Sequence, residues 1–455
     1  MFLFKRKRNR RKVFNYVKDG LRNATTHGLS YVVNDRIHPF ERIFWMIGFL
    51  IAFTLIMLLL TIQFSRYIDA PTVISVDMDY FDWNISFPAV TLCPFYKAII
   101  PKLKAISSRK FNETGLNIDG YLWAIVQANF DSLEYIKLDF PDDVISTLEP
   151  RDYVKIAMSM YPNFNATVET KTKQNISIVT AMTEMGLCYV LNSNVAIFDD
   201  PNRESFNISN YVKNNIELSI FDRDFFIRVS NFYKSYKVYI HSPDEIITST
   251  TPSYNIDIEA AVSFGLSVWT TRISEELRVT SLRIRKCRFI NEATNDRYPI
   301  YSYSHCLLEC RINVIKTLCG CIPHFYKPLA HETICHIRQL KCLIRYKREI
   351  LTLSTESINL NGLPSSSREC GCLNTCELDQ YLKDREDFTT ETSFTTLDIG
   401  ITTFPKVRVV RDIIVHSYDI LLRSGGVINL CIGSSVISLM EILVTFIKTC
   451  HYILF

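Results

Sequence analysis

The stretch GGVINLCIGSSVISLMEILVTFIK, residues 425–448, decides how this chain is read. From Gly425 to Ile447 its one formal charge is Glu441, so the segment is apolar enough to enter a bilayer. It is nevertheless patterned. Ser434, Ser438, Glu441, Thr445 and Lys448 follow one another at intervals of four, three, four and three, which on an α-helix places them on one face. Polar side chains facing lipid cost roughly a few kcal/mol each, so such a face turns toward protein or water. One helix cannot enclose water, and a conduit therefore requires several copies of the chain. The other reading, in which the hydroxyls bond back to their own helix and Lys448 snorkels to the interface, stays open on these residues alone.

Outward from this stretch, a second uncharged run, Ile43–Ser65, lies between Arg42 and Arg66. As a helix it would span roughly 34 Å, enough to cross a hydrocarbon core. It starts too late, is too long and lacks the small-residue cleavage pattern of a signal peptide. Two spans put both termini on one side, and the basic run KRKRNRRK at Lys5–Lys12 predicts that side to be the cytoplasm. The expected organisation is a cytoplasmic segment 1–42, a span 43–65, an outer domain 66–417, a second span 418–447 and a short cytoplasmic end 448–455. The location expected is the plasma membrane.

The outer segment carries the marks of an oxidising compartment. Sequons occur at Asn84, Asn112, Asn165, Asn175 and Asn207, although Asn23, on the cytoplasmic side, shows how easily one arises by chance. Of fourteen cysteines, twelve fall in the outer segment, an even number that allows six bridges, while Cys431 and Cys450 lie in or beside the second span. A zinc cluster is disfavoured because the usual C-x2-C pairs are absent, and no metal or other cofactor is expected. The 47% hydrophobic content is ample for a core, and a net charge of +4 concentrated in one basic block argues against a nucleic-acid surface.

Strand-like text opens the outer segment (PTVISVDMDYFDWNISFPAVTLC, 71–93) and returns at 225–242 and 261–269. Helical text occupies 120–135, 304–317 and 332–351, and 394–410 reads as extended again. The fold class expected is α+β. No G-x-S-x-G, HExxH or phosphate-binding glycine loop appears, and the histidines and acids have no catalytic spacing, so no enzyme is indicated.

FPAVTLC at 87–93, YSYSHCLLEC at 301–310, CGC at 319–321, CGCLNTC at 370–376 and GSSVISLMEI at 433–442 together resemble the degenerin/epithelial sodium channel family, most closely its insect pickpocket branch. The likeness runs in order from Thr26-His27-Gly28 to Glu441. It implies an α+β membrane protein assembled as a homo- or heterotrimer with related subunits. Two transmembrane helices would flank a disulfide-rich outer domain built as a palm-like sheet with finger and thumb helices. By the same likeness Cys93 would bridge Cys188, Cys287 Cys376, Cys306 Cys372, Cys310 Cys370, Cys319 Cys342, and Cys321 Cys335.

Gly433-Ser434-Ser435 matches the family's selectivity filter, an extended break in the second span, so that the helical stripe holds only below it, with Ser438 and Glu441 lining the pore. His27-Gly28 matches a re-entrant motif that affects gating. Near the gate, Leu422 is bulky where many members have a small residue, and Arg423 stands where some have an acid. The function implied is passive, sodium-permeable, amiloride-sensitive and non-voltage-gated conduction, opened by an outside stimulus. Two alternatives remain: an accessory subunit that passes little current alone, and a two-span glycoprotein of the scavenger-receptor type.

Overall fold

The computed structural model describes residues 16–69, 72–111, 118–171, 175–203, 216–222, 225–232, 234–294, 296–354, 370–390, 395–414 and 416–454. The chain divides into two compact units. One comprises Met1–Ile74, Ser274–Arg285 and Arg411–Phe455, and the other Ser75–Ile273 and Lys286–Val410.

The first unit is built on the helix Pro39–Asp69, which extends beyond the uncharged run at both ends. Proline at its first position is pre-set for a helix and has no amide hydrogen to leave unpaired. Arg42 ties the entry down, donating from Nε to the Val32 carbonyl at 2.7 Å and from Nη2 to Asp35 at 2.8 Å. This helix is long and apolar enough to cross a membrane, and Ile56 is its one buried residue, so its apolar side chains face outward. That is the inverse of a soluble core helix. The apolar segment near the C-terminus is two helices, Ser417–Ile432 and Val436–Leu454, bent by 79° at a short break; as a bent pair they too are long and apolar enough to form a span.

The second unit holds the mixed α and β structure. The FPAVTLC text forms the strand Ala89–Pro94, buried at every residue, which explains why it reads as a continuous apolar run rather than an alternating one. It occupies the middle of a five-stranded sheet in the order Tyr254–Ile256, Tyr236–His241, Ala89–Pro94, Gly186–Leu191, Ile178–Thr183. A larger sheet centres on Ala260–Ile273, antiparallel to Leu378–Thr390 and parallel to Thr396–Thr403. At Gly265 the register shifts. A Cβ there would come within 2.7 Å of Thr402 and 3.2 Å of Arg385, so only glycine lets the neighbouring strands close up.

The expected helices are shortened where the chain finds other hydrogen bonds. The 120–135 text forms the helix Asp119–Gln127 and then stops, because the Asn129 side chain accepts from the amides of Asp131 and Ser132 at 3.0 and 3.1 Å. The 304–317 text becomes Tyr303–Cys319, ended by Gly320 at φ 72°. The 332–351 text is not one helix but a 3-10 turn, Ile337–Leu340, followed by Lys341–Arg345 and Lys347–Thr352. Disulfides from Cys335 and Cys342 pin this stretch to Cys321 and Cys319. The extended text at 394–410 divides around Pro405 into Thr396–Thr403 and Arg408–Ile413.

Four further bridges, Cys93–Cys188, Cys287–Cys376, Cys306–Cys372 and Cys310–Cys370, complete a set whose Cα separations run from 4.4 to 5.8 Å. Among these braces lie buried charges. Glu184 and Arg311, 1% and 2% exposed, pair with one another. The Glu184 carboxylate also accepts from Tyr326 at 2.6 Å and from the Ser249 amide at 2.7 Å.

Candidate functional site

The site is the break between the two C-terminal helices. The helix Ser417–Ile432 ends because Gly433 turns left-handed, φ 59°, while its amide still donates to the Asn429 carbonyl at 2.8 Å. The next helix starts with a hydroxyl cap: Ser435 Oγ accepts from the Ser438 amide at 3.2 Å, and Ser438 Oγ accepts from the Ser435 amide at 3.3 Å. Two serines three apart thus satisfy each other's free amides as a capping box does. The sequence ends one helix and begins the next within Gly433-Ser434-Ser435.

The segment around His27 folds against this break. The His27 amide donates to the Ile432 carbonyl at 3.0 Å. Its ring lies where a Gly433 Cβ would be, 2.1 Å from Nδ1, so Gly433 is required by space as well as by its φ. Thr25 makes the link lower down, donating to Ser438 Oγ at 2.7 Å and to Glu441 Oε2 at 2.9 Å. Gly28, at φ 85°, lets the chain turn into the helix Leu29–Val33, and Tyr31 stacks on Trp45 at 4.8 Å. Thr26 and Ser434 are 3% and 4% exposed, and among the described residues neither hydroxyl has a hydrogen-bond partner.

Of the residues singled out from sequence, His27, Gly433, Ser435, Ser438 and Glu441 are thereby joined in one cluster, with Gly28 beside His27. Ser434 lies off the lower helix, in the break, so the polar stripe begins at Ser438. Leu422 and Arg423 are not part of the cluster; they are exposed on the upper helix, with Asp419 one turn from Arg423. Sequence reasoning missed Thr25, because a single threonine two residues before a histidine has no periodic signal. Asn84, Asn165 and Asn175 are exposed, whereas Asn112 and Asn207 lie outside the described residues. Among the described residues no group of three or more His, Cys, Asp or Glu is placed to hold a metal ion.

Just outside the upper helix, His416 forms its N-cap with Asp419 and meets Glu276 from the helix Glu275–Arg278, Nε2 to Oε2 at 2.5 Å. The Glu276 carboxylate first, and Asp419 after it, raise the His416 pKa above the ordinary histidine value.

The amiloride-sensitive sodium channel family profile matches residues 21–445. Pickpocket protein 11 of Drosophila melanogaster is 23% identical over 223 residues, covering 46% of this chain and 41% of that protein. Sodium channel protein Nach of the same species is 25% identical over 191 residues, covering 39% and 34%. Pickpocket protein 28 is 22% identical over 372 residues, covering 72% and 59%. The chain therefore spans between 34% and 59% of the length of these relatives. With the profile running from the His27 segment through the second unit and the break into the last helix, the chain belongs to the amiloride-sensitive (degenerin/epithelial) sodium channel family, a family of ion channels and not of enzymes.

Proposed function

We propose that the chain is a pore-forming subunit of a sodium-permeable, amiloride-sensitive, non-voltage-gated channel in the plasma membrane, opened by a stimulus acting on its outer domain. Channels of the family conduct sodium and assemble as multimers. In this reading three copies, alike or related, surround an axis. Residues 43–65 and 418–447 cross the bilayer, both termini are cytoplasmic, and 66–417 lies outside.

The break at Gly433-Ser434-Ser435 is the observation that supports the reading. A helix that stops at membrane depth leaves carbonyls free of intrahelical partners, and the carbonyl end of the upper helix carries partial negative charge, both of which favour a dehydrating cation. The Ser435–Ser438 cap occupies the first amides of the lower helix, so its donors do not oppose the ion. Glu441 below would supply a ring of carboxylates. The His27–Ile432 bond would couple the N-terminal segment to the filter, the basis for its role in gating.

Arg423 supports a second reading, an accessory subunit. A ring of exposed arginines near the outer entrance raises the potential against cations, and Asp419 offsets only part of it. Expression alone and with related subunits, followed by voltage clamp under sodium replacement and amiloride, tests both. Current from the chain alone supports the first reading, and current only in mixed assemblies the second. No sodium current in any combination, with the protein at the cell surface, sinks both. In a conducting assembly, Ser435→Phe shifts the sodium-to-potassium ratio; an unchanged ratio removes Ser435 from the filter.

A further inference from the structure

The outer unit contains a cleft of about 240 Å³ that plays no part in the ion pathway. It lies between the start of the helix Ile100–Phe111, the segment after Met160, and the loop joining the strands Phe226–Ser230 and Tyr236–His241. Two lysines line it, Lys102 from the helix and Lys234 from the loop. Among the described residues the acceptors of Lys102 Nζ are neutral, the Tyr161 carbonyl at 2.9 Å and Asn163 Oδ1 at 3.4 Å. Among the described residues neither lysine has an acidic partner. Burial first, and the charge of Lys102 second, lower the Lys234 pKa from its ordinary value, so the two ammonium groups feel one another across the cleft.

The rest of the lining suits an anion with an apolar body. Asn163 and Asn231 bring amide groups, and the backbone of Asn231 is held left-handed at φ 64°. Tyr236 is 6% exposed, and burial pushes its hydroxyl up to about 12, so it remains an O–H donor at any physiological pH. Its ring packs on Phe232, centroids 5.1 Å apart, and Ile99 and Pro162 add further apolar surface. Two uncompensated positive charges, amide and hydroxyl donors and no carboxylate leave like-charge repulsion that a bound anion would relieve.

We propose that this cleft is a binding site for a small organic carboxylate, its charged end between Lys102 and Lys234 and its apolar body against Phe232. The volume lies below the usual range for drug-sized ligands, roughly 300–1,000 Å³, which favours a body of about one ring. Carboxylate binding here does not depend on whether the chain conducts, so the two proposals fail separately.

The test uses the purified full chain in detergent and sodium benzoate as probe, with sodium chloride at equal ionic strength as reference. Benzoate is expected to raise the unfolding temperature in a saturable way that chloride does not reproduce. Lys102→Gln and Lys234→Gln each weaken the apparent affinity about tenfold, the scale of one charge-assisted hydrogen bond. Lys234→Gln removes a repulsion, so its unliganded unfolding temperature should not fall, whereas Lys102→Gln also gives up the bond to the Tyr161 carbonyl and is compared with its own unliganded state. Lys102→Arg and Lys234→Arg retain binding, as does the control Lys104→Gln on the same helix, whose side chain is exposed. Equal shifts in chloride and benzoate, no shift at all, or shifts that survive both glutamine variants overturn the site. So does binding that disappears in Asn165→Gln with both lysines intact, because the cleft edge at Asn165 rather than the lysine pair would then be the binder.

Discussion

Glu184 in the second unit and Ser434 at the break between the C-terminal helices are both almost wholly buried, yet their polar atoms are treated in opposite ways. Each Glu184 oxygen is engaged, by Arg311, by Tyr326 and by the Ser249 amide, and Arg311 further donates from Nε to the Ile350 carbonyl at 3.2 Å. Ser434 Oγ, like the Thr26 hydroxyl, has no hydrogen-bond partner among the described residues. A satisfied buried network fixes one arrangement of the elements that supply it. An unsatisfied buried hydroxyl costs about 1–3 kcal/mol, so its site favours a conformation or a neighbour that supplies a partner. The Glu184 carboxylate is thus held from both sides within its own unit, whereas the Ser434 and Thr26 hydroxyls at the break are left open, and in the proposed channel an ion pathway or a neighbouring subunit would engage them.

The comparison breaks most visibly if the Glu184–Arg311 network can be opened without consequence. Arg311→Leu leaves the Glu184 carboxylate buried without its counter-charge, a loss of about 3–5 kcal/mol. The expected result is a lowered unfolding temperature and little protein at the cell surface. Removing both charges with Glu184→Leu and Arg311→Leu together recovers part of it, because no unpaired ion then remains. Wild-type surface levels and stability in Arg311→Leu would show that the network does not hold the unit together.

A smaller and differently directed effect is expected at the break. Gly433→Ala imposes a left-handed backbone on a residue with a Cβ, about 1–2 kcal/mol, and drives that Cβ into the His27 ring. Surface protein should persist while current falls. Adding His27→Ala removes the collision but not the backbone cost, so current returns in part. If Gly433→Ala lowers surface expression as severely as Arg311→Leu, the break is as much a folding element as the outer network, and the contrast fails.

What the sequence made legible follows the same division. The membrane-length helix was readable because Ile43–Ser65 has no charge, and Tyr303–Cys319 because its periodicity ends at a glycine. Alternation exposed Ala260–Ile273, and continuous apolar text exposed Ala89–Pro94. The stretch 332–351 misread as one helix because its local pattern contains nothing of the distant cysteines that fold it back. At the site, Ser434, Ser438 and Glu441 were visible as a polar stripe at helical spacing, whereas the break at Gly433–Ser435 was legible only through family likeness. Thr25 was not, because its role depends on a hydrogen bond to residues more than four hundred positions away.

The smallest expected effect tests whether charge at the head of the helix Ser417–Ile432 is held as tightly as the buried Glu184–Arg311 pair. His416 faces Glu276 and Asp419, with Tyr418 stacked on its ring at 5.0 Å, and remains close to solvent. Its pKa is raised in the folded chain, chiefly by Glu276, so folding favours the charged ring. That contribution is fully present below the unfolded histidine value of about 6.5 and is lost as pH rises through the higher folded value. Glu276→Gln removes the larger cause and leaves Asp419 in place. The gap in unfolding temperature between wild type and Glu276→Gln should therefore be widest in mild acid at low salt and close as the ring becomes neutral. Added salt should narrow the gap further, because an exposed pair is screened where a buried one is not. A gap that stays constant with pH would assign the effect to packing. One that survives high salt would mean this helix head is as well insulated as Glu184 and Arg311, and the boundary between fixed and adjustable polar groups would have to move down toward the break.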